Sequence, residues 1–145
     1  MASNPPIFNQ VNLTVKDMAV TLAFYRRLGF VINGADDDIH AAVIFGNGIS
    51  IEFDTAELVK QYDSHPKTEA AGGILGFSLD SREAVDRLYA EMIAAGYQGH
   101  QSPYDAFWGA RYAIIDDPDG NAIGLMSPVD KQQKYWPPKL PPSGL

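Results

Sequence analysis

The chain has 145 residues, no cysteine, a formal net charge of −7 and 46% apolar residues. The length suffices for one compact domain with a core, and the missing thiols exclude disulfides, thiolate metal sites and cysteine nucleophiles. The negative surface disfavours nucleic acid and anionic membranes as partners, and with no leader-like segment or spanning apolar run the expectation is a cytoplasmic protein.

Residues 8–15, FNQVNLTV, alternate. Val11, Leu13 and Val15 fall on one face and Gln10, Asn12 and Thr14 on the other, the period of a half-buried strand. Asp17 stands where an N-cap is needed, and Met18, Leu22, Tyr25 and Leu28 follow at helical spacing, closed by Gly29. Three further strands are predicted near Phe30–Asn33, His40–Phe45 and Ile49–Phe53. Gly34 with Asp36–Asp38, and then Gly46-Asn47-Gly48, supply the turns between them.

The same order then recurs. In Ile74–Asp80, Leu75, Phe77 and Leu79 share an apolar face. Ser81 follows as an N-cap, Val85, Leu88, Tyr89 and Met92 form a helical stripe, and Gly96 ends it. Val15 and Asp17 map onto Leu79 and Ser81 with a common shift of 64 residues. A repeated strand–helix–strand–strand–strand unit follows from this pattern. It gives one domain, 1–145, with module one at 7–54, a polar linker at 55–72 carrying a short helix before Pro66, module two at 73–127, and a proline-rich tail at 128–145. Five prolines of that tail favour extended backbone. Tyr135-Trp136 within it fits either a solvated segment or an arm that packs on this subunit or a neighbour.

Paired modules of this kind, with VKDMAVTLAFYRRLGF in the first and DDPDGNAIGL closing the second, resemble the vicinal oxygen chelate superfamily of glyoxalase I, bleomycin-resistance proteins and extradiol dioxygenases. The resemblance spans roughly residues 7 to 127. It implies an α+β fold in which two βαβββ modules form a cupped, barrel-like mixed sheet with helices outside. The polar or small faces would then line the cup: Gln10, Asn12, Thr14, Ser50, Glu52, Ile74, Gly76, Ser78, Ala122, Gly124 and Met126.

Metal-using relatives take ligands from four cup positions, which fall here on Gln10, Glu52, Ile74, where the resemblance implies histidine, and Gly124, where it implies glutamate. Isoleucine and glycine have no side-chain donor, and a transition metal commonly needs three or more protein groups. No metal ligand set and no cofactor is therefore expected. His40, His65 and His100 read as ordinary surface or packing histidines. Glu52 is the candidate catalytic residue, as a ligand acceptor or general base, with Gln10 as its natural donor; equally, it is a carboxylate satisfied by Gln10 and Arg111.

The candidate ligand-binding set is Gln10, Asn12, Ser50, Glu52, Ser78, Tyr104, Trp108, Arg111 and Gly124. The aromatic stretch SPYDAFWGARYA would stack on a flat ligand, with Arg111 meeting an anionic group, or would pack against a second subunit. The expected function is binding of a small organic molecule in the concave cavity by a homodimer. The alternative is a lactoylglutathione lyase-like or dioxygenase-like enzyme using Glu52 as base or an atypical metal site.

Overall fold

A computed structural model describes residues 5–67, 72–139 and 141–142. The chain divides into two compact units, residues 1–68 and 69–145. Each has its own sheet. The element order is β1 (Gln10–Val15), α1 (Met18–Arg27), β2 (His40–Ile44), β3 (Ser50–Thr55) and α2 (Ala56–Val59) in the first. The second has β4 (Ile74–Ser78), α3 (Arg82–Ala94), β5 (Gln98–Asp105), β6 (Arg111–Asp116), β7 (Ala122–Met126) and a short 3-10 turn at Lys131–Gln133. The fold is α+β, as expected. Among the described residues its strands pair as two separate mixed sheets, β1-β3-β2 and β4-β7-β6-β5, neither closed into a barrel.

In the first unit β1 runs parallel to β3, so Gln10, Asn12 and Thr14 stand beside Ser50, Glu52 and Asp54. β2 runs antiparallel to β3 and brings His40 opposite Asp54. Asp17 caps α1 by accepting from the Val20 amide at 3.2 Å. Helical spacing then buries Met18, Leu22 and Tyr25, and the Tyr25 ring lies 4.7 Å from that of Phe53 on β3. Each such side chain contributes about 1.5–3 kcal/mol when fully buried, which fixes the face that α1 presents. Gly29, with φ +103°, lets the chain leave the helix in a left-handed conformation.

The predicted strand at Phe30–Asn33 is not formed. Only Asn33 pairs, exchanging two backbone hydrogen bonds with Ala42 at 2.8 and 2.9 Å. The helix exit ties the Phe30 amide back to the Tyr25 carbonyl, and the turn at Gly34 begins one residue after Asn33, so no room is left for a ladder. Module one is thus βαββ, and Glu52 lies on its third strand rather than a fourth.

The second unit keeps all four predicted strands. β4 is parallel to β7, which is antiparallel to β6, which is antiparallel to β5. Ser81 caps α3 by accepting from the Ala84 amide at 3.0 Å. Val85, Tyr89 and Met92 of α3 are buried together with Ala113, Ile115, Ile123 and Leu125 of the sheet. The other face of that sheet carries Gly76, Gly124, Tyr112, Ile114 and Met126. Pairing of Gly76 with Gly124, and of Ile114 with Gly124, gives this face a floor with little side-chain relief. β5 extends to Asp105, so Tyr104 belongs to a strand, opposite Tyr112.

The tail returns to its own unit. The Asp130 amide donates to the Gly109 carbonyl at 2.8 Å and the Tyr135 amide to the Phe107 carbonyl at 3.0 Å. Tyr135 Oη donates to the Asp105 carbonyl at 2.9 Å. Gly109 has φ +95°, and a side chain there would run into the Asp130 carbonyl oxygen, which accounts for the glycine.

Candidate functional site

On the first unit the sheet face away from α1 carries a polar network centred on Asp54. This carboxylate is 1% exposed. It accepts from Asn12 Nδ2 at 2.9 Å and Tyr62 Oη at 2.6 Å, and its Oδ1 lies 2.6 Å from His40 Nδ1. Burial opposes ionisation, yet the bonds from His40, Tyr62 and Asn12 outweigh it and hold the carboxyl below its ordinary range. The same burial, with the Asp54 charge, pushes the Tyr62 hydroxyl up to about 12.

Glu52 sits beside this network with different partners from those expected. Its Oε2 accepts from Ser50 Oγ at 2.5 Å, and its Oε1 lies 3.2 Å from His40 Nε2. Gln10, the expected donor, instead donates to Asn12 Oδ1 at 2.7 Å, because β-strand alternation sets those two side chains on one face of β1. Arg111 is not a partner of Glu52 either. Its Nε donates to Asp86 at 2.8 Å and its Nη1 to Asp105 at 3.2 Å. Arg111 stands one residue before Tyr112 and so faces the α3 side of β6, where two carboxylates neutralise it.

His40 reads differently in three dimensions. Rather than an ordinary surface histidine, it bridges Asp54 and Glu52 with its two ring nitrogens. His100, within β5, pairs with Asp116 at 2.8 Å, and His65 contacts Ser64 in the segment after α2. Asp54 and Tyr62 were not singled out from sequence. Continuing the Ser50–Glu52 alternation by one step would have found Asp54; nothing local marks Tyr62.

The second unit assembles the aromatic part. Tyr104 and Tyr112 meet edge-on at 6.3 Å, and Trp108 approaches Tyr112 at 5.2 Å. Trp108 Nε1 donates to Met126 Sδ at 3.3 Å, fixing the indole over the end of β7. The hydroxyls of Tyr104 and Tyr112 have no hydrogen-bond partner among the described residues. Burial raises both above the ordinary tyrosine value, so both are neutral donors near pH 7. Ser78 lies on the same face, opposite Met126. Gly76 has open space above it.

The absent carboxylate at position 124 has a physical counterpart. A Cβ there would stand 2.8 Å from Tyr112 Oη and 3.1 Å from Ile74 Cγ2. The Tyr112 hydroxyl therefore occupies the space from which an acidic side chain would extend. Gly124→Ala is expected to cost about 1–2 kcal/mol, since overpacking exceeds the small gain from replacing a strand glycine. In a Tyr112→Phe background, which removes the crowding oxygen, the same substitution should be near neutral by chemical denaturation. Equal losses in both backgrounds would contradict this account.

Comparison with known proteins agrees with this architecture. The family model described as the Glyoxalase/Bleomycin resistance protein/Dioxygenase superfamily matches residues 7–125. The chain belongs to the glyoxalase/bleomycin resistance protein/dioxygenase superfamily. No curated protein matches it. Among solved structures of similar fold is a glyoxalase/bleomycin resistance protein/dioxygenase family enzyme from Burkholderia phytofirmans PsJN, with TM-score 0.71 and 27% identity over 83% of this chain and 97% of that one. A glyoxalase-related enzyme from Fulvimarina pelagi matches with TM-score 0.74 and 16% identity, covering 83% and 86% of the two chains. A lactoylglutathione lyase from Agrobacterium tumefaciens matches with TM-score 0.65 and 19% identity over 86% and 96%.

The superfamily's metal ligand positions fit a metal poorly here. Ile74 and Gly124 offer no donor, Tyr112 fills the space at Gly124, and Glu52 is engaged by Ser50 and His40. Among the described residues, no three His, Cys, Asp or Glu side chains form a group able to hold an ion. No helix of the described residues is long and apolar enough to cross a membrane.

Proposed function

We propose that this superfamily member binds a small, flat organic molecule without a divalent metal, on the helix-free face of its second sheet. The carrying observation is the Tyr112 hydroxyl over Gly124, which puts a hydrogen-bond donor and an aromatic edge where a metal-binding carboxylate would stand. Gly76 leaves the floor open, Trp108 forms an apolar wall, and the Tyr104 and Tyr112 hydroxyls are available to acceptor atoms of a ligand. Binding of this type requires no proton or electron transfer.

A thermal-shift screen of divalent metals, catechols, thioethers of glutathione and glycopeptide drugs tests the reading, since a ligand of the native state raises its melting temperature. The expected result is a shift with an aromatic or conjugated compound that disappears in Tyr112→Ala, and purified protein without stoichiometric transition metal. A stoichiometric metal lost on Glu52→Gln would overturn it.

A second reading is an enzyme, lyase or dioxygenase-like, in which Glu52 accepts a proton. The placement of Glu52 against His40, itself bonded to a buried carboxylate, favours that reading. It requires turnover that Glu52→Gln abolishes.

A further inference from the structure

The tail forms a shallow groove of about 390 Å³ lined by Phe107, Trp108, Lys134, Tyr135 and Trp136. Phe107 meets Trp108 at 5.2 Å and Trp136 at 5.8 Å, both edge-on. These walls are tethered, because the backbone and hydroxyl bonds of Tyr135 to Phe107 and Asp105 hold the tail against its loop. Trp136 is nevertheless 78% exposed. A large indole left open in a tethered wall is costly to solvate and available to a partner.

Charge selects the partner. Residues 131–139, KQQKYWPPK, hold three lysines and no acid in a chain whose net charge is −7. Asp130, which precedes them, accepts from the Gln132 amide and from Gln133 Nε2. Lys139 lies 5.4 Å from the centre of the Tyr135 ring. Lys131 and Lys134 have no ion-pair partner among the described residues. Flat aromatic walls with the Lys134 ammonium among them match a flat aromatic body bearing an anionic group.

We propose that this groove is a second binding site, sharing Trp108 with the sheet-face site, for a planar aromatic anion such as an aryl sulfonate or aryl carboxylate. The ring stacks on the exposed Trp136 indole beside Phe107, and the anionic group meets Lys134. The volume is within the range of small-molecule sites.

The probe is 8-anilinonaphthalene-1-sulfonate, titrated into the folded full chain and followed by its fluorescence under Trp excitation. Saturable binding is expected that weakens at least fivefold in Trp136→Ala and at least tenfold in Lys134→Glu. A charge control in the first unit, Lys60→Glu, should leave it unchanged. Both Trp136 and Lys134 are exposed, so neither variant threatens folding, and circular dichroism verifies that. Unchanged affinity in Trp136→Ala, or equal weakening by Lys60→Glu and Lys134→Glu, would overturn the site. So would tight association with vesicles of anionic phospholipid that the probe fails to compete away, which would assign the segment to a membrane surface instead.

Discussion

Gly34→Ala should destabilise the protein by about 3 kcal/mol, the sum of two independent penalties. Gly34 has φ +133°, a backbone conformation that side chains rarely adopt. A Cβ at that position would also lie 2.7 Å from Ala41 Cβ and 2.9 Å from Ala41 Cα. Neither obstacle can swing aside, because Ala41 is buried in β2 and held in register opposite Phe53. Relief would require β2 to move, and β2 carries His40. Gly48→Ala is the informative comparison. It has φ +85° but meets nothing within 4 Å, so it should lose only about 1 kcal/mol. Urea denaturation of both variants separates strain from crowding. Similar losses in the two would show that the close approach of Gly34 to β2 does not limit stability.

Asp54→Asn is expected to cost roughly 3 kcal/mol at neutral pH despite its near-identical shape. Asn12, Tyr62 and His40 all present hydrogens to the Asp54 carboxylate. An amide supplies one acceptor oxygen and would turn its own hydrogens towards at least one of these donors, breaking that donor's bond to the buried side chain at position 54. The pH dependence follows from the direction of the shift. The folded-state pKa of Asp54 lies below its ordinary value of 3.8, so its stabilisation is fully present above that value and is lost as pH falls through the folded pKa. The gap between wild type and Asp54→Asn should therefore be constant near neutrality and narrow in acid. Tyr62 acts at the other extreme. Its hydroxyl, raised to about 12 from 10.0, adds stability that is complete below pH 10 and disappears as pH climbs through the folded value. A gap that widened in acid would contradict the network described here.

Both substitutions act on the first unit, and together they distinguish what shapes the candidate site from what fills it. Gly34 positions β2 so that His40 can reach Asp54 and Glu52. Asp54 orients the His40 ring by its bond to Nδ1. If Glu52 acts as a base, as in the second functional reading, Asp54→Asn should alter turnover more than substrate affinity. In the binding reading, Tyr112→Ala removes affinity while the first unit keeps its stability.

Much of the fold was legible from local signals. Asp17 and Ser81 cap their helices as expected, Gly29 and Gly96 end them, and the alternation of Val11, Leu13 and Val15 marked a strand. Such signals act over a few residues, so they need no knowledge of the rest of the chain. The strand placed at Phe30–Asn33 failed because apolar content does not create a pairing partner. That segment is bounded by a helix exit and a turn, and only Asn33 reaches Ala42.

The side-chain arrangement was the part that sequence alone could not settle. Alternation set Glu52 on the face opposite Ile51 and Phe53, but it could not say that Ser50 and His40, rather than Gln10 and Arg111, would take its oxygens. Those choices depend on which strands lie side by side and on the competing carboxylates, Asp86 and Asp105, that claim Arg111. Sequence likewise revealed that Gly124 and Ile74 lack donors. The tertiary structure supplied the reason for the glycine: Tyr112, twelve residues away along the chain but on the neighbouring strand, brings its hydroxyl into the space a side chain would need. Periodicity and capping are short-range and survive translation into one dimension; the pairing of charges and the filling of space are long-range and exist only once the strands have met.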